Sequence, residues 1–361
     1  MSLYMDANAT EPLRPAARAA VVAALEAGGN PSSVHAAGRG ARRLLEAARE
    51  AVASRFAPGA GPGWEVVFTA GGTEANALAI HGLGRGRRLL VGATEHPAVL
   101  AAAWPEAGLL PVLGDGTLDL AALEAALAGG PPALVCAMAA NNETGVRHPI
   151  GEIAALCRAH GALLHMDAVQ AAGRGALPEG ADSIALSGHK VGGPPGAGAL
   201  LLRPGLHLPP LIAGGGQERG RRGGTEPLPA IAGLAAALPE PGEAARLAAL
   251  RDRIEAGLPG EVVIAGAGAP RLPNTSLIIL PGVAAETQVI ALDLAGVRVS
   301  AGAACSSGKV ARSHVLAAMG FGDLAGSGIR VSLPWNVAED AAERFLEAWS
   351  AMRSRLSKSA A

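Results

Sequence analysis

From residue 64 onward the chain alternates two apolar rhythms, and that alternation leaves few folds open. Short strand-like runs, "WEVVFTA", "RRLLVGA", "ALVCAMAA" and "ALLHMDA", are separated by stretches of helical spacing, "TEANALAIHGL", "PAVLAAAW" and "IGEIAALCRAHG". Strands alternating with helices predict an α/β fold with a mostly parallel sheet covered on both faces. Such sheets place ligands at the carboxyl ends of their strands. Here those ends carry Gly71-Gly72-Thr73, Glu95-His96, Asn141-Asn142-Glu143, Asp167 with Gln170, and Ser187-Gly188-His189-Lys190. One such ending is a routine strand-to-loop transition. Five in succession predict a single site assembled from five loops.

The last of these endings holds a lysine between two apolar runs, Ile184-Ala185-Leu186 and Ala197 to Leu202. Lysine and arginine together number 30, yet lysine occurs only at Lys190, Lys309 and Lys358. Arginine is thus the default cation of this chain. A lysine kept in an apolar setting is a candidate for chemistry that a guanidinium does not perform, because only the amine readily loses its proton and becomes a nucleophile.

After about residue 240 the texture changes. A polar-faced helix, "PEPGEAARLAALRDRIEAGL", precedes short strands in "VVIAG" and "TSLIIL", a helix around Glu286 to Leu294, further strands in "GVRVSAGAAC" and "GIRVSLPW", and a closing amphipathic helix in "AEDAAERFLEAWSAMRSRL". At 361 residues the chain exceeds one small core. The expected organisation is a large domain over residues 14–245 and a smaller α+β domain from 1–13 and 246–361. Aromatics are only 2% of the residues, so alanine, leucine and valine must fill both cores.

Charge excludes several classes of partner. A net charge of -1 gives no electrostatic case for nucleic acid or an anionic membrane. No apolar run approaches the ~20 residues of a membrane span. The beginning, "MSLYMDANAT", does not resemble a secretory signal, so a cytoplasmic location is expected. The three cysteines form no C-x-x-C pair, which argues against a disulfide framework or a zinc site. Cys136 and Cys157 lie in apolar runs and read as inert core thiols. Cys305 lies in "VSAGAACSSGK", among small residues that would do little to bury it.

Three of the parts together suggest a cofactor. "TAGGTEAN" is a glycine-rich turn opening a helix, whose free N–H groups and positive end suit a phosphate. Asp167 follows an apolar strand, so its carboxylate needs a partner. A metal reading of His165 with Asp167 lacks a third ligand. A phosphate cradle, a buried carboxylate and an isolated lysine are what pyridoxal 5'-phosphate (PLP) requires: the lysine forms a Schiff base and the carboxylate keeps the pyridine nitrogen protonated.

The sequence resembles the cysteine desulfurases within the class V aminotransferases, the PLP-dependent transferase fold type I. The matching stretches are "YMDANAT", "GNPSSVHAAGR", "FTAGGTEANALAI", "TEHPAV", "NNETGV", "HMDAVQAAG", "SGHKVGGPPGAGAL", "GGGQERGRRGGTE", "VSAGAACSSG" and "IRVSL", in family order from residue 4 to about 333. The resemblance implies that Lys190 carries the cofactor and shuttles protons, Asp167 pairs with the pyridine nitrogen, and Gln170 bonds the phenolic oxygen. His96 would stack on the ring and take part in acid–base steps. Gly72, Thr73, Ser187 and His189 would hold the phosphate, with Thr225 reaching across a homodimer. Asn142 and Arg330 would bind the carboxylate of L-cysteine, Arg330 by a two-pronged salt bridge. Cys305 would accept the sulfur as a persulfide and pass it to an iron–sulfur scaffold or another acceptor protein.

Competing readings are a selenocysteine lyase, a kynureninase or a small-acid aminotransferase on the same fold, and a non-catalytic scaffold subunit. Cys305 argues against the kynureninase and the aminotransferase, and the retention of Lys190, Asp167 and Cys305 together argues against the scaffold. Three features depart from the commoner family pattern: Glu11 where a second threonine is frequent, Pro195 where lysine is common, and "LPWN" where glycine usually follows Arg330-Val331-Ser332.

Overall fold

The computed structural model describes residues 2–57, 63–237, 239, 242–302 and 312–359, with side chains to residue 356. It opens with strand Leu3–Tyr4 (β1) and helices Pro15–Ala27 (α1) and Ala36–Phe56 (α2). The alternation then runs Glu65–Thr69 (β2), Gly72–Leu83 (α3), Arg88–Gly92 (β3), Pro97–Ala102 (α4), Gly108–Leu110 (β4), Leu120–Leu127 (α5), Ala133–Met138 (β5), Ile150–Ala159 (α6) and Leu163–Asp167 (β6). A hairpin of Ser183–Ser187 (β7) and Gly198–Leu202 (β8) and the helix Leu228–Ala236 (α7) follow.

Strands β2 to β8 form one seven-stranded sheet in the order β2-β8-β7-β6-β5-β3-β4. Pairing is parallel from β7 through β6, β5 and β3 to β4, and antiparallel on both sides of β8. β2 and β7 both oppose β8, so they share a direction and β8 alone is reversed. The mostly parallel sheet expected from the alternation is therefore present. Its central strands are buried on both faces, including every residue of β5, β7 and β8, which is why they read as continuous apolar runs.

The period-two alternation of strand side chains divides the core. Val66, Phe68, Leu90, Val135 and Ala137 face α2, α6 and α7, where Leu45, Val52, Phe56, Ile153 and Ile231 pack. Val67, Leu89, Val91, Leu134 and Cys136 face α3 and α4, where Leu78, Ile80 and Val99 pack. α2 shows how such a helix is specified. Ala41, Leu45, Ala48, Val52 and Phe56 recur at three- and four-residue spacing as one buried stripe, and His35 caps the start by accepting from Gly38 N at 3.3 Å.

The remaining elements are Glu243–Ala256 (α8), Val263–Ile264 (β9), Thr275–Ile279 (β10), Ala285–Leu294 (α9), Val297–Arg298 (β11), Ser300–Ala301 (β12), His314–Ala318 (α10), Gly328–Ser332 (β13) and Ala341–Ser359 (α11). β12-β13-β10-β9 form an antiparallel sheet, and β1 pairs with β11 in parallel. Phe345, Trp349 and Met352 carry α11 onto a core shared with Leu250, Ile254, Ile278 and Ile329.

Residues 5–14 join the two sheets. Ser332 N donates to Met5 O at 2.9 Å and Ala7 N to Ser332 O at 3.0 Å, tying the segment to β13. Farther along, Glu11 N donates to His189 O and Arg14 N to Gly192 O, both at 2.9 Å, tying it to the turn after β7.

Two of the departures from the family pattern meet in this segment. The buried carboxylate of Glu11 accepts from Trp335 N at 2.7 Å and pairs with the buried guanidinium of Arg174 at 3.2 Å. The Trp335 indole returns a hydrogen bond to Pro12 O at 2.8 Å, and the Arg14 guanidinium lies 5.2 Å from its ring. Glu11 and Trp335 therefore compensate one another, while Pro195 stands at the wall of the main cavity.

Removing Glu11 would strand Arg174 as an uncompensated buried charge, a loss of about 3–5 kcal/mol. Glu11→Thr should lower the urea-unfolding midpoint accordingly, and adding Arg174→Met should recover part of the loss. Equal midpoints for Glu11→Thr and the parent would show that the pair contributes nothing.

Candidate active site

A cavity of about 790 Å³ opens at the carboxyl ends of β2, β3, β5, β6 and β7, and all five predicted loops reach it. Not every polar residue of those loops faces inward. Asn142 and His96 line the cavity, whereas Asn141 shapes its own turn, accepting from Glu143 N at 2.9 Å and Thr144 N at 3.0 Å. Glu95 is buried behind the wall, where it accepts from Met138 N at 2.6 Å. Burial, reinforced by the nearby charge of Asp167, pushes the Glu95 carboxyl well above its usual range.

Lys190 ends a single 3-10 turn, Gly188–Lys190, directly after β7. Its Nζ donates to Asn8 O at 2.5 Å and Ala9 O at 2.9 Å, and it has no salt bridge among the described residues. Burial lowers its pKa to about 8; Arg330 and Arg174 push the same way, against Asp6 and Asp167. An amine so placed has about a tenth of its molecules unprotonated at pH 7 and half at about pH 8, far more than an ordinary lysine, and the unprotonated form is the nucleophile.

Asp167 ends β6 with each carboxylate oxygen engaged. Oδ1 accepts from Val169 N at 2.9 Å and Oδ2 from Asn76 Nδ2 at 2.7 Å. Burial raises its pKa, and these two hydrogen bonds oppose the rise by favouring the charged form. Gln170 shares the loop. Its Nε2 donates to Asn8 O at 3.0 Å, leaving its second hydrogen uncommitted, while its Oε1 accepts from Arg174 at 2.5 Å.

The first turn of α3 forms the opposite wall. Gly71 at its N-cap gives no side-chain cap, so the helix start keeps unspent N–H donors. Gly72 is required by packing, since a Cβ there would lie 2.6 Å from Val169 Cγ2. Thr73, Ser187 and His189 line the same end. Burial, together with Lys190, lowers His189 to about 4, so its ring is neutral at physiological pH. Glu74, the one acid in the first turn, is neutralised by Arg222 at 2.8 Å and so offers little repulsion to an anion.

His96 caps α4, accepting from Ala98 N at 3.1 Å through Nδ1. That bond fixes the neutral ring's proton on Nε2 and leaves the ring edge open to the cavity. The protein around it lowers the His96 pKa, against the opposing charge of Asp167. Across the cavity, β13 delivers Arg330. Its guanidinium pairs with Asp6 at 2.7 Å and donates to Asn142 O at 3.1 Å, while Arg330 Nε and Asn142 Oδ1 are buried without partners among the described residues.

Two expected site residues stand apart. Thr225 is exposed and does not line this cavity, and Cys305 lies outside the described residues, three positions beyond the cavity-lining Gly302. Sequence reasoning also missed participants. Asn8 and Asp6 hold Lys190 and Arg330, although "YMDANAT" had served only as a family mark. Asn76 supports Asp167, and its signal was visible: it is the only asparagine in the apolar helix pattern "TEANALAIHGL". His165 binds Ser183 at 2.8 Å and Asn76 at 2.9 Å, so both ring nitrogens are engaged.

The aminotransferase class-V family matches residues 3–345. The chain belongs to that family. It is 44% identical to a cysteine desulfurase of Cereibacter sphaeroides over 96% of this chain and 94% of the relative. It is 39% identical to an IscS-like cysteine desulfurase of Mycobacterium tuberculosis over 95% of this chain and 94% of the relative. The X-ray structure of a NifS-like protein from Rickettsia africae superposes with a TM-score of 0.90 at 32% identity, covering 98% of this chain and all (100%) of that one. The resemblance inferred from ten short motifs is thereby established, and with it the fold type I architecture.

Class V enzymes depend on PLP, and this cavity fits it on its own terms. It offers an uncapped helix start, a carboxylate with a hydrogen-bond donor on each oxygen, and an amine of lowered pKa without an ion-pair partner among the described residues. Uptake of PLP into apo-protein should therefore accelerate as pH rises, with its midpoint at about 8, and level off only well above that pH, where Lys190 is largely unprotonated. Stopped-flow absorbance across that interval checks this, and a rate independent of pH would overturn the assignment of Lys190.

Proposed function

We propose that this chain is a PLP-dependent cysteine desulfurase that moves the sulfur of L-cysteine onto Cys305 and releases L-alanine. The observation that carries the reading is the convergence of Lys190, Asp167, His96, Asn142 and Arg330 on one cavity, in a chain related to cysteine desulfurases along most of its length. We take the large domain as 14–245, with the small domain, 1–13 and 246–361, bringing Arg330 and Cys305 to the same substrate.

In this reading Lys190 carries the cofactor, Asp167 holds its ring nitrogen and Gln170 its phenolic oxygen. Gly72, Thr73, Ser187 and His189 hold the phosphate at the start of α3. When bound, PLP supplies the electron sink that lets the substrate's α-proton leave and its carbon–sulfur bond weaken. Arg330, oriented by Asp6, takes the substrate carboxylate with Asn142. Lys190 would move the proton at the substrate's α-carbon, and His96, which lines the same cavity, would serve acid–base steps.

The sulfur step balances without an outside oxidant. The Cys305 thiolate bonds to the substrate sulfur as the carbon–sulfur bond breaks, and the released carbon is protonated to the methyl group of alanine. The thiol plus cysteine thus becomes a persulfide plus alanine. An acceptor protein, such as an iron–sulfur scaffold in the cytoplasm, then takes the outer sulfur. Cys136 and Cys157 are unsuited to this role, because burial pushes Cys136 well above the usual thiol range and Cys157 up to about 12.

We further propose a symmetric homodimer in which Thr225 of the partner subunit completes the phosphate site. Its exposure outside its own subunit's cavity supports this arrangement.

Cys305→Ser should bind PLP and L-cysteine normally yet release almost no alanine or sulfide, whereas Cys136→Ser and Cys157→Ser remain active. Mass spectrometry should find an extra, reducible sulfur on the Cys305 peptide. Finding it on either other cysteine, or full turnover by Cys305→Ser, would show the nucleophile to be wrong. Mixing inactive Lys190→Ala with inactive Thr225→Ala subunits should restore part of the activity. No restoration despite proven subunit exchange would remove Thr225 from the shared site.

A further inference from the structure

Behind Asp167 lies a chain of hydrogen bonds that the catalytic assignments leave unexplained. Asn76 of α3 donates to Asp167 Oδ2 at 2.7 Å, and its own Oδ1 meets His165 Nε2 at 2.9 Å. His165 Nδ1 in turn meets the Ser183 hydroxyl at 2.8 Å. Asn76, His165 and Ser183 are each at most 1% exposed, so none of these groups exchanges partners with water.

The polarity of the chain follows from its end. An ionised Asp167 only accepts, so Asn76 must present its amide nitrogen there and its oxygen to His165. His165 must then carry its proton on Nε2, and Ser183 must donate to Nδ1. Every donor points toward the carboxylate. His165 sits two residues before Asp167 on the same face of β6, and Ser183 is its register partner on the adjacent strand β7. Burial drives the His165 pKa down to about 3, so at working pH the ring selects a tautomer and does not supply a proton.

We propose that Asn76 and His165, backed by Ser183, are positioning residues that hold Asp167 as an oriented carboxylate toward the cofactor's ring nitrogen. This rests on the functional reading above and deepens it. Without the His165 donor, the Asn76 amide is free to turn its oxygen toward Asp167, which would repel the charged form. The titratable groups facing Asp167 are Glu95 and Cys136 from the β3 and β5 side and His96 and Lys190 across the cavity. None of them hydrogen-bonds to Asn76 among the described residues, so they are common to wild type and variants.

The test uses three variants of the full chain, stripped of cofactor and titrated with PLP across pH. Asn76→Leu removes the donor. His165→Leu removes the group that orients it. His165→Gln keeps an N–H facing Asn76 and an acceptor for Ser183. Asn76→Leu and His165→Leu should weaken PLP binding by about tenfold or more, the scale of a hydrogen bond to a charged group. Their acid limb of affinity should move to higher pH, because Asp167 loses a bond that favours its charged form. His165→Gln should restore both affinity and acid limb.

A purely structural role would lower the melting temperature of the apo-proteins without moving that limb. Wild-type affinity and an unmoved limb in Asn76→Leu and His165→Leu would overturn the proposal. So would a His165→Gln variant as impaired as His165→Leu, since the ring's bulk and not its donor would then matter. Wild-type protein that binds no PLP would instead sink the functional reading itself.

Discussion

The site depends on one residue that performs no chemistry, Asn8. Its side-chain nitrogen donates to Asn142 O at 3.1 Å and Thr275 Oγ1 at 2.9 Å, and its side-chain oxygen accepts from Asn274 at 3.2 Å. Its backbone N donates to Ser332 Oγ at 3.0 Å, while its carbonyl accepts from both Gln170 and Lys190. One buried residue thus spends its donors and acceptors on β10, β13, the β5 loop and two cavity residues. Buried polar groups must be paired, so the position of Asn8 is overdetermined, and so is the distance between the two sheets. That distance sets how far Arg330 stands from Lys190.

Electrostatics then sorts the buried charges into two states. Desolvation disfavours the ionised forms of four groups in and behind the cavity wall, raising Asp167 and Glu95 and lowering Lys190 and His189. What separates the two acids is donor supply. Asp167 receives a donor on each oxygen, which favours the charged form, whereas among the described residues Glu95 receives one donor and its Oε2 none. The charged form is thus better supported at Asp167 than at Glu95, although burial raises both. Lys190 is treated in the opposite sense. It meets neutral carbonyls in place of a carboxylate, so its proton is held less firmly than an ion pair would hold it.

The layout of the large sheet was legible in the sequence because periodicity reports burial. Two-sided burial makes β5, β7 and β8 continuous apolar runs, and a polar residue ending such a run marks the open edge of the sheet. Lys190, Asp167, Gln170 and His96 were found in this way. Residues 5–14 were not, because their order comes from contacts hundreds of positions away, such as Asn8 with Ser332 and Asp6 with Arg330. Local pattern carries no record of such pairing. Asn76 and His165 escaped for a subtler reason. A lone polar residue in an apolar run shows that it has a partner without saying which one.

Departures from a family pattern follow the same logic and are best read in pairs. Glu11 alone looks like a charge inserted where a hydroxyl belongs, and "LPWN" alone like bulk inserted into a stretch where glycine is usual. In the fold the carboxylate accepts the Trp335 amide and neutralises Arg174, while the indole returns its own N–H to Pro12 and stacks against Arg14. Arg174 also binds Gln170 through both the backbone and side-chain oxygens, so the pair bears indirectly on a cavity residue. Two changes far apart in sequence therefore act as one substitution in space. Through Arg174 they form part of the packing and hydrogen bonding beneath Gln170, which lines the cavity.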